Sequence, residues 1–209
     1  FNIAVSLMGF DAGILQDTHT PALPFKAGYI DWQPSWRATT DPTSWIRNST
    51  VWYAQQVTSR LGERRVQDYV GRFDYGNQDL TGGVDRAWIS SSLQVSPREQ
   101  VAFLRKVANR ELPVTAHAFD MTAQLLHLPM LDNGWQVYGK TGTASGDGAG
   151  DTGRALGWFA GWATKDGRTI VFARQNLGPG HPNLTAGPHL KERFLHALPG
   201  RLATLSPST

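Results

Sequence analysis

Apolar residues alternate with polar ones in two different patterns along the chain, and the first pattern predicts helices. Residues 1–9 are apolar almost all round, which predicts a buried helix that ends at Gly9 or Gly13. Mixed apolar and polar faces predict further helices over residues 43–61 and 63–73. The first third of the chain is therefore expected to be mainly helical.

Two more helices are predicted before the pattern changes. Ser96-Pro97-Arg98-Glu99 is a strong helix start, because serine caps, proline fits the first helical position and glutamate closes a capping box. We expect that helix to continue to about Arg110, and another to cover residues 114–131. The helical part of the protein should then end close to residue 131.

Strand patterns follow. Apolar residues lead to Lys140-Thr141-Gly142 at the predicted tip of an edge strand, and residues 157–162 form its aromatic neighbour. A Gly, Ser, Asp and Thr loop over residues 144–154 joins them, so the pair is predicted to be a long-looped hairpin. Residues 168–175 alternate as a third strand, and an amphipathic helix containing Leu190 and Leu198 comes last.

This order of elements predicts an α+β fold, with an antiparallel sheet flanked by helices and an all-helical lobe beside it. The length of 209 residues fits one domain. We place the helical lobe at about residues 11–131, and the sheet with its final helix at about residues 132–198.

Composition excludes several functions. The net charge of +3 is spread without a Lys/Arg run, which argues against nucleic-acid binding. The lack of cysteine excludes disulfides, a cysteine nucleophile and thiolate metal sites, and leaves the cellular compartment open. The six histidines show no metal-binding spacing. No secretory signal is present, and no apolar run reaches the roughly eighteen residues that a membrane span needs.

Three short motifs could carry chemistry. In Lys140-Thr141-Gly142, lysine can supply positive charge, threonine can bind a carboxylate, and glycine lets a substrate approach the strand. By itself this tripeptide is more often an ordinary turn after a strand. Ser49-Thr50-Val51 and Tyr75-Gly76-Asn77 precede it in the chain.

Together with the Gly157-to-Trp162 and Ser96-Pro97 segments, these motifs are specific. The sequence closely resembles the class D serine β-lactamases, the oxacillinases, from Phe1 to about Gln175. The resemblance implies the β-lactamase/transpeptidase-like fold and hydrolysis of penicillins and oxacillin-type substrates, conferring antibiotic resistance.

The family's nucleophile motif, Ser-x-x-Lys, does not occur in the chain. None of the five lysines follows a serine by three positions. Leu23-Pro24-Phe25-Lys26 looks like the lead-in to that motif but follows the apolar helix instead of opening one, so we reject it as a degraded nucleophile. We expect the nucleophilic serine and its carbamylated lysine, together with the family's N-terminal strands, just upstream of Phe1. The 209 residues alone are then expected to turn over nothing, and CO₂, as that carbamate, is the one cofactor-like group expected.

The remaining roles follow from the resemblance, residue by residue. Ser49 would relay a proton to the leaving β-lactam nitrogen, Lys140 would supply charge, and Trp88 would hold the carbamate through its indole N–H. A solvent-facing helix serine and a core tryptophan are the plainer alternatives for Ser49 and Trp88. Val51 would be an apolar wall that lowers the pKa of the carbamylated lysine.

Substrate binding is assigned to the strand and the last helix. Thr141 and Gly142 would contact the substrate, and the backbone N–H at Thr143 would form part of the oxyanion hole. The family's carboxylate-binding arginine is replaced by His189, with Lys191 and Arg193 nearby; a plain surface histidine is the alternative. Tyr75, Gly76 and Asn77 are expected to be structural.

Two other functions fit the same scaffold. One is a penicillin-binding transpeptidase or carboxypeptidase that stays acylated, against which Trp88 argues, because a held carbamate is needed only for deacylation. The other is a non-hydrolytic β-lactam sensor domain. We expect a small-molecule β-lactam substrate, no nucleic-acid or membrane partner, a monomer or homodimer, and a periplasmic location.

Overall fold

Helices form the first of two structural units in the computed structural model, which describes residues 1–89, 91–145, 154–179 and 185–204. This unit extends from Phe1 to Leu126, whereas the sequence predicted a helical lobe over about residues 11–131. Its elements in chain order are α1 (Asn2–Asp11), a 3-10 helix (Pro34–Trp36), α2 (Pro42–Asn48), α3 (Val51–Leu61), α4 (Glu63–Phe73), α5 (Pro97–Ala108) and α6 (Ala116–Leu126).

Helix α1 forms the centre of this unit, as its apolar sequence predicted. Its residues from Ile3 to Phe10 are all buried, and it packs against α6 and α3. A hydrogen bond of 2.8 Å joins the buried hydroxyls of Ser6 and Thr122 across the α1–α6 contact. The helix ends at Asp11, with Ala12 as its C-cap.

The single helix predicted over residues 43–61 is wrong, because the segment forms α2 and α3. Ser49 has φ 54° and ψ 40°, a left-handed conformation that a continuing helix cannot contain. The chain therefore turns at Ser49, and Thr50 becomes the N-cap of α3.

The capping box at Ser96 is confirmed. The Ser96 hydroxyl accepts from the Glu99 N–H at 3.3 Å, and the Glu99 carboxylate accepts from the Ser96 N–H at 2.7 Å. The helix that it starts ends at Ala108, close to the predicted Arg110, while α6 ends five residues short of the predicted residue 131.

The second unit, His127–Thr209, contains the sheet. Strands β1 (Gln136–Ser145), β2 (Arg154–Lys165) and β3 (Arg168–Pro179) are antiparallel in the order β1-β2-β3, and α7 (Ala186–Ala203) follows. The β2–β3 hairpin turns at Asp166 and Gly167, which both have positive φ, as the favoured two-residue turn requires.

The predicted hairpin and third strand are confirmed, with one correction. Lys140 pairs with Ala160 and Gly142 pairs with Trp158, so Lys140-Thr141-Gly142 lies in the middle of β1 and not at its tip. The strand continues to Ser145 because the polar residues after the motif stay paired with β2. The rest of the predicted loop, residues 146–153, lies outside the described residues, as does the 180–184 part of the loop that leads to α7.

Helix α7 packs on the sheet through the apolar face that the sequence predicted. Trp135, Val137, Phe159 and Phe172 on the sheet side form one buried cluster with Leu190, Leu198 and Leu202 of α7. In the part of the chain that the structure describes, no helix combines the length and apolarity needed to cross a membrane.

Candidate active site

Ser49 lies at the corner between α2 and α3. The N–H groups of Ser49 and Thr50 both donate to the carbonyl of Trp45. These two hydrogen bonds close the end of α2, and α3 begins at Val51. Ser49 and Val51 are half-buried. The corner thus presents a serine side chain from a tightly fixed left-handed position.

Trp36 fixes this corner, and sequence reasoning missed it. Its indole N–H donates to the Asn48 carbonyl at 2.9 Å, and its own carbonyl accepts from the Trp52 indole at 2.9 Å. The last turn of α2 is therefore bonded to the side chain of this buried residue, and the first turn of α3 to its backbone. The signal that could have found it was the tryptophan-rich loop that precedes Ser49-Thr50-Val51.

The Thr50 side chain is buried at the same corner. It is fully buried, and its hydroxyl has no hydrogen-bond partner among the described residues. The nearby helix start gains no side-chain cap from it. A buried hydroxyl without a partner costs folding free energy.

Tyr75-Gly76-Asn77 ties together a loop of the first unit. The Asn77 amide group donates to the Ser92 carbonyl at 2.8 Å and accepts from the Gln94 N–H at 2.9 Å. Gly76 has φ 54°, and a Cβ there would collide with the Gln94 carbonyl. These contacts hold the loop closed across residues 76–94.

Trp88 is linked to Tyr75 through the ring of Phe1. Phe1 stacks on Trp88 at 5.2 Å between ring centroids, and its ring meets that of Tyr75 edge-on at 5.4 Å. The Tyr75 hydroxyl donates to the buried Gln100 at 3.0 Å, and burial raises the pKa of Tyr75, so this tyrosine stays neutral. Trp88 itself is half-buried, on a loop joined to α3 by the hydrogen bond from Gln55 to the Asp85 carbonyl.

Lys140 carries the main electrostatic feature of the second unit. Burial lowers the pKa of Lys140 from its usual 10.5 to about 7, and the charge of Lys191 acts in the same direction. Its Nζ donates to the Thr141 carbonyl at 2.9 Å. A lysine with a pKa near neutrality can act both as a cation and as a proton-transfer group.

The start of α7 lies directly against β1 beside this motif. The Thr143 hydroxyl accepts from the Gly187 N–H at 3.0 Å, and a Cβ on Gly187 would collide with the Gly142 carbonyl. His189 follows in the first turns of α7 with an exposed side chain, whereas Lys191 is half-buried. Among the described residues, no group of three His, Asp or Glu side chains is placed to hold a metal ion.

The residues singled out from the sequence fall into two sets. The first unit carries Ser49 and Val51 at one corner and Tyr75, Gly76, Asn77 and Trp88 on a neighbouring loop. The second unit carries Lys140, Thr141, Gly142 and Thr143 on β1, with His189 on the helix that packs there.

Comparisons with known proteins show the family to which the chain belongs. A family model described as the penicillin-binding protein transpeptidase domain matches residues 1–198. β-Lactamase OXA-9 of Klebsiella pneumoniae is 39% identical over 212 residues, covering 95% of this chain and 76% of that protein. β-Lactamase OXA-1 of Escherichia coli is 36% identical over 214 residues, covering 95% and 72%.

A solved structure gives the same result. The class D β-lactamase OXA-427 superposes with a TM-score of 0.92 at 43% identity, covering 99% of this chain and 88% of that one. The chain belongs to the penicillin-binding protein transpeptidase family and, within it, to the class D serine β-lactamases. The predicted family and fold are thereby confirmed.

Proposed function

We propose that the protein hydrolyses β-lactam antibiotics, and so confers resistance to them, through a serine acyl-enzyme. One observation carries this proposal: in a class D chain, the strand that contains Lys140-Thr141-Gly142 has a lysine whose pKa is lowered to about 7. Serine attack on the β-lactam carbonyl forms the acyl ester and breaks the ring C–N bond. Water then cleaves the ester and releases a ring-opened acid.

Lys140 and Thr141 bind the carboxylate of the substrate. While protonated, Lys140 supplies a positive charge beside the strand for the substrate carboxylate, and the hydroxyl of Thr141 can donate to the same group. Gly142 leaves the strand surface open, since among the described residues only the Trp158 side chain lies near the place where a Cβ would be. The N–H at Thr143 is our proposed oxyanion-hole donor, and such a donor lowers the barrier by about 3 kcal/mol in related chemistry.

Ser49 completes acylation. Ring opening leaves a nitrogen that must gain a proton, and a hydroxyl held rigidly at a helix corner can pass one on without rearranging. The left-handed backbone and the hydrogen bonds to Trp45 provide that rigidity. His189 is proposed to assist carboxylate binding in place of the family's arginine.

Acylation requires the serine, and deacylation the lysine, of a Ser-x-x-Lys motif, which does not occur in these 209 residues. A carbamate on that lysine would supply the base that activates water. The neighbourhood of Trp88 fits such a group, because Phe1 stacks on Trp88 and also contacts Tyr75, whose pKa is raised by burial. The same environment favours a neutral amine, the form that takes up CO₂, and the Trp88 indole can donate to the resulting anion.

Two measurements on the natural gene product test this proposal. Mass analysis of the intact protein should find a Ser-x-x-Lys motif, and nitrocefin should be hydrolysed faster when bicarbonate is added. A stable acyl-enzyme that bicarbonate does not change would favour the transpeptidase or sensor alternative instead. An intact protein without the motif would exclude every mechanism that uses a serine acyl-enzyme.

The periplasmic location and the monomeric or dimeric state stay predictions of the resemblance.

A further inference from the structure

The first turn of α7 lacks the usual cap from its own sequence. Its N-cap residue, Thr185, has helical backbone angles and makes no side-chain cap hydrogen bond. The first N–H groups of a helix have no partner within the helix and need one from elsewhere. Pro188 has no N–H, and the His189 N–H donates to the Thr185 carbonyl at 3.0 Å.

The Gly187 N–H finds its partner on a different element. It donates to the hydroxyl of Thr143 on β1 at 3.0 Å, across 44 positions of sequence. Thr143 therefore does for α7 what an N-cap residue normally does, but from the neighbouring strand. Its location immediately after Lys140-Thr141-Gly142 connects the helix start to the substrate-binding strand.

Glycines let the start of α7 come this close to β1 and β2. A Cβ on Gly187 would collide with the Gly142 carbonyl, and a Cβ on Gly157 would lie 2.6 Å from the Ala186 carbonyl. Farther along α7, no atom of the described residues lies within 4 Å of the Cβ position of Gly200. Gly187 therefore lies where α7 closely approaches β1, whereas Gly200 lies on the exposed side of the helix.

The helix start also carries a lysine and a histidine. Lys191 lies near enough to Lys140 for its charge to affect the lysine's proton affinity, and His189 precedes it by two residues. Small displacements of the first turn would therefore change the distribution of positive charge around the strand. The Coulomb energy between two charged groups decreases as the distance between them increases.

We propose that Thr143 is a positioning residue, whose hydroxyl caps α7 from β1 and thereby holds His189 and Lys191 in register with the strand that binds the substrate carboxylate. This inference rests on the proposed β-lactamase function. It assigns the Thr143 side chain a role separate from that of its backbone N–H, which every substitution other than proline retains.

The test compares Thr143→Val, which keeps the side-chain shape without an acceptor, with Thr143→Ser, which keeps the acceptor. In the natural gene product, Thr143→Val should raise KM for benzylpenicillin roughly fivefold with kcat within about twofold, the size expected for one neutral hydrogen bond. It should also reduce the preference for benzylpenicillin over its methyl ester, which lacks the carboxylate. Thr143→Ser should restore both values.

A second pair of variants separates positioning from general stability. Gly187→Ala should produce the same rise in KM, while Gly200→Ala on the same helix should leave KM unchanged. Amide hydrogen exchange at Gly187 gives a readout that needs no activity, and it should be roughly fivefold faster in Thr143→Val.

The outcomes are distinct. Unchanged exchange at Gly187 in Thr143→Val would overturn the cap, and faster exchange with unchanged KM and ester preference would overturn the positioning role. A Thr143→Ser variant as impaired as Thr143→Val would also overturn it. If the parent protein hydrolyses no β-lactam, the proposed function fails, and hydrogen exchange still decides whether Thr143 caps the helix.

Discussion

Phe1 stacks on Trp88 with 5.2 Å between ring centroids and 30° between ring planes. Trp88 thus has a packing role that depends on its ring, beside its proposed role as a hydrogen-bond donor to a carbamate. The two roles use different parts of the indole, so substitutions can separate them.

Trp88→Phe keeps an aromatic ring for the stack and removes the N–H. We expect the free energy of unfolding to change by less than about 1 kcal/mol, while nitrocefin turnover falls about tenfold to a hundredfold, the cost of one hydrogen bond to a charged group. Trp88→Ala should also lose about 2 kcal/mol of stability, because the stack disappears. Full turnover by Trp88→Phe would show that the indole N–H has no part in deacylation.

Ser49 offers a similar separation of chemistry from backbone conformation. Both Ser49→Ala and Ser49→Gly remove the hydroxyl, so acylation should slow at least tenfold in each. Their stabilities should differ, because φ is 54° at this position. Alanine costs about 1 kcal/mol in the left-handed region, whereas glycine adopts it freely. Stopped-flow acylation and urea unfolding measure the two effects, and rapid acylation by both variants would exclude a proton relay through Ser49.

Lys140 should make substrate affinity depend on pH. With a pKa of about 7 the lysine loses its charge as pH rises from 6 to 8, so KM for an anionic β-lactam should rise over that interval. Lys140→Arg stays charged and should flatten this dependence. Removal of the neighbouring charge in Lys191→Ala should move the midpoint to higher pH, while Lys165→Ala serves as the control. A midpoint that does not move in Lys191→Ala would contradict the electrostatic coupling.

The same lysine affects stability with a definite sign. Its pKa is lowered by folding, so between about pH 7 and 10.5 the unfolded chain binds a proton that the folded chain does not. The contribution of Lys140 to stability therefore decreases as pH falls through that interval and is constant below it. Lys140→Met should remove this part of the pH dependence in chemical unfolding experiments.

Thr50→Val should stabilise the protein. The substitution keeps a β-branched shape and removes a buried hydroxyl that has no partner in the described part of the chain, so a gain of about 1 kcal/mol is expected. Thr58→Val is the matched control on the same helix. The Thr58 hydroxyl is also buried but donates to the Gln55 carbonyl at 3.2 Å, and its loss should leave stability unchanged or up to about 1 kcal/mol lower. A less stable Thr50→Val variant would show that a bound water satisfies the hydroxyl.

Gly76→Ala should be severely destabilising, by more than about 3 kcal/mol, because positive φ and a clash act together. The Cβ would collide with the Gln94 carbonyl, which cannot move without opening the loop. Gly13 has φ 69°, and no atom of the described part of the chain lies within 4 Å of its Cβ position, so Gly13→Ala should cost only about 1 kcal/mol. Equal losses for the two variants in thermal unfolding would contradict the steric argument.

Local chemistry explains which elements were predictable. The apolar run of α1, the capping box at Ser96 and the strand pattern of the β1–β2 hairpin each depend on residues close together in sequence, and all three are confirmed. The break at Ser49 was missed because the helical periodicity continues through it. The turn is stabilised by Trp36, whose hydrogen bonds span 12 and 16 positions of sequence.

The sequence by itself determined the family, the α+β fold and the motifs that carry chemistry, because motif spacing and hydrophobic period are properties of the chain. Only the tertiary structure decided that Lys140-Thr141-Gly142 lies within β1, that burial beside Lys191 brings the Lys140 pKa to about 7, and that Thr143 caps α7. Each of these depends on desolvation or on a hydrogen bond between elements far apart in the chain. Such effects arise only when folding brings those elements into contact.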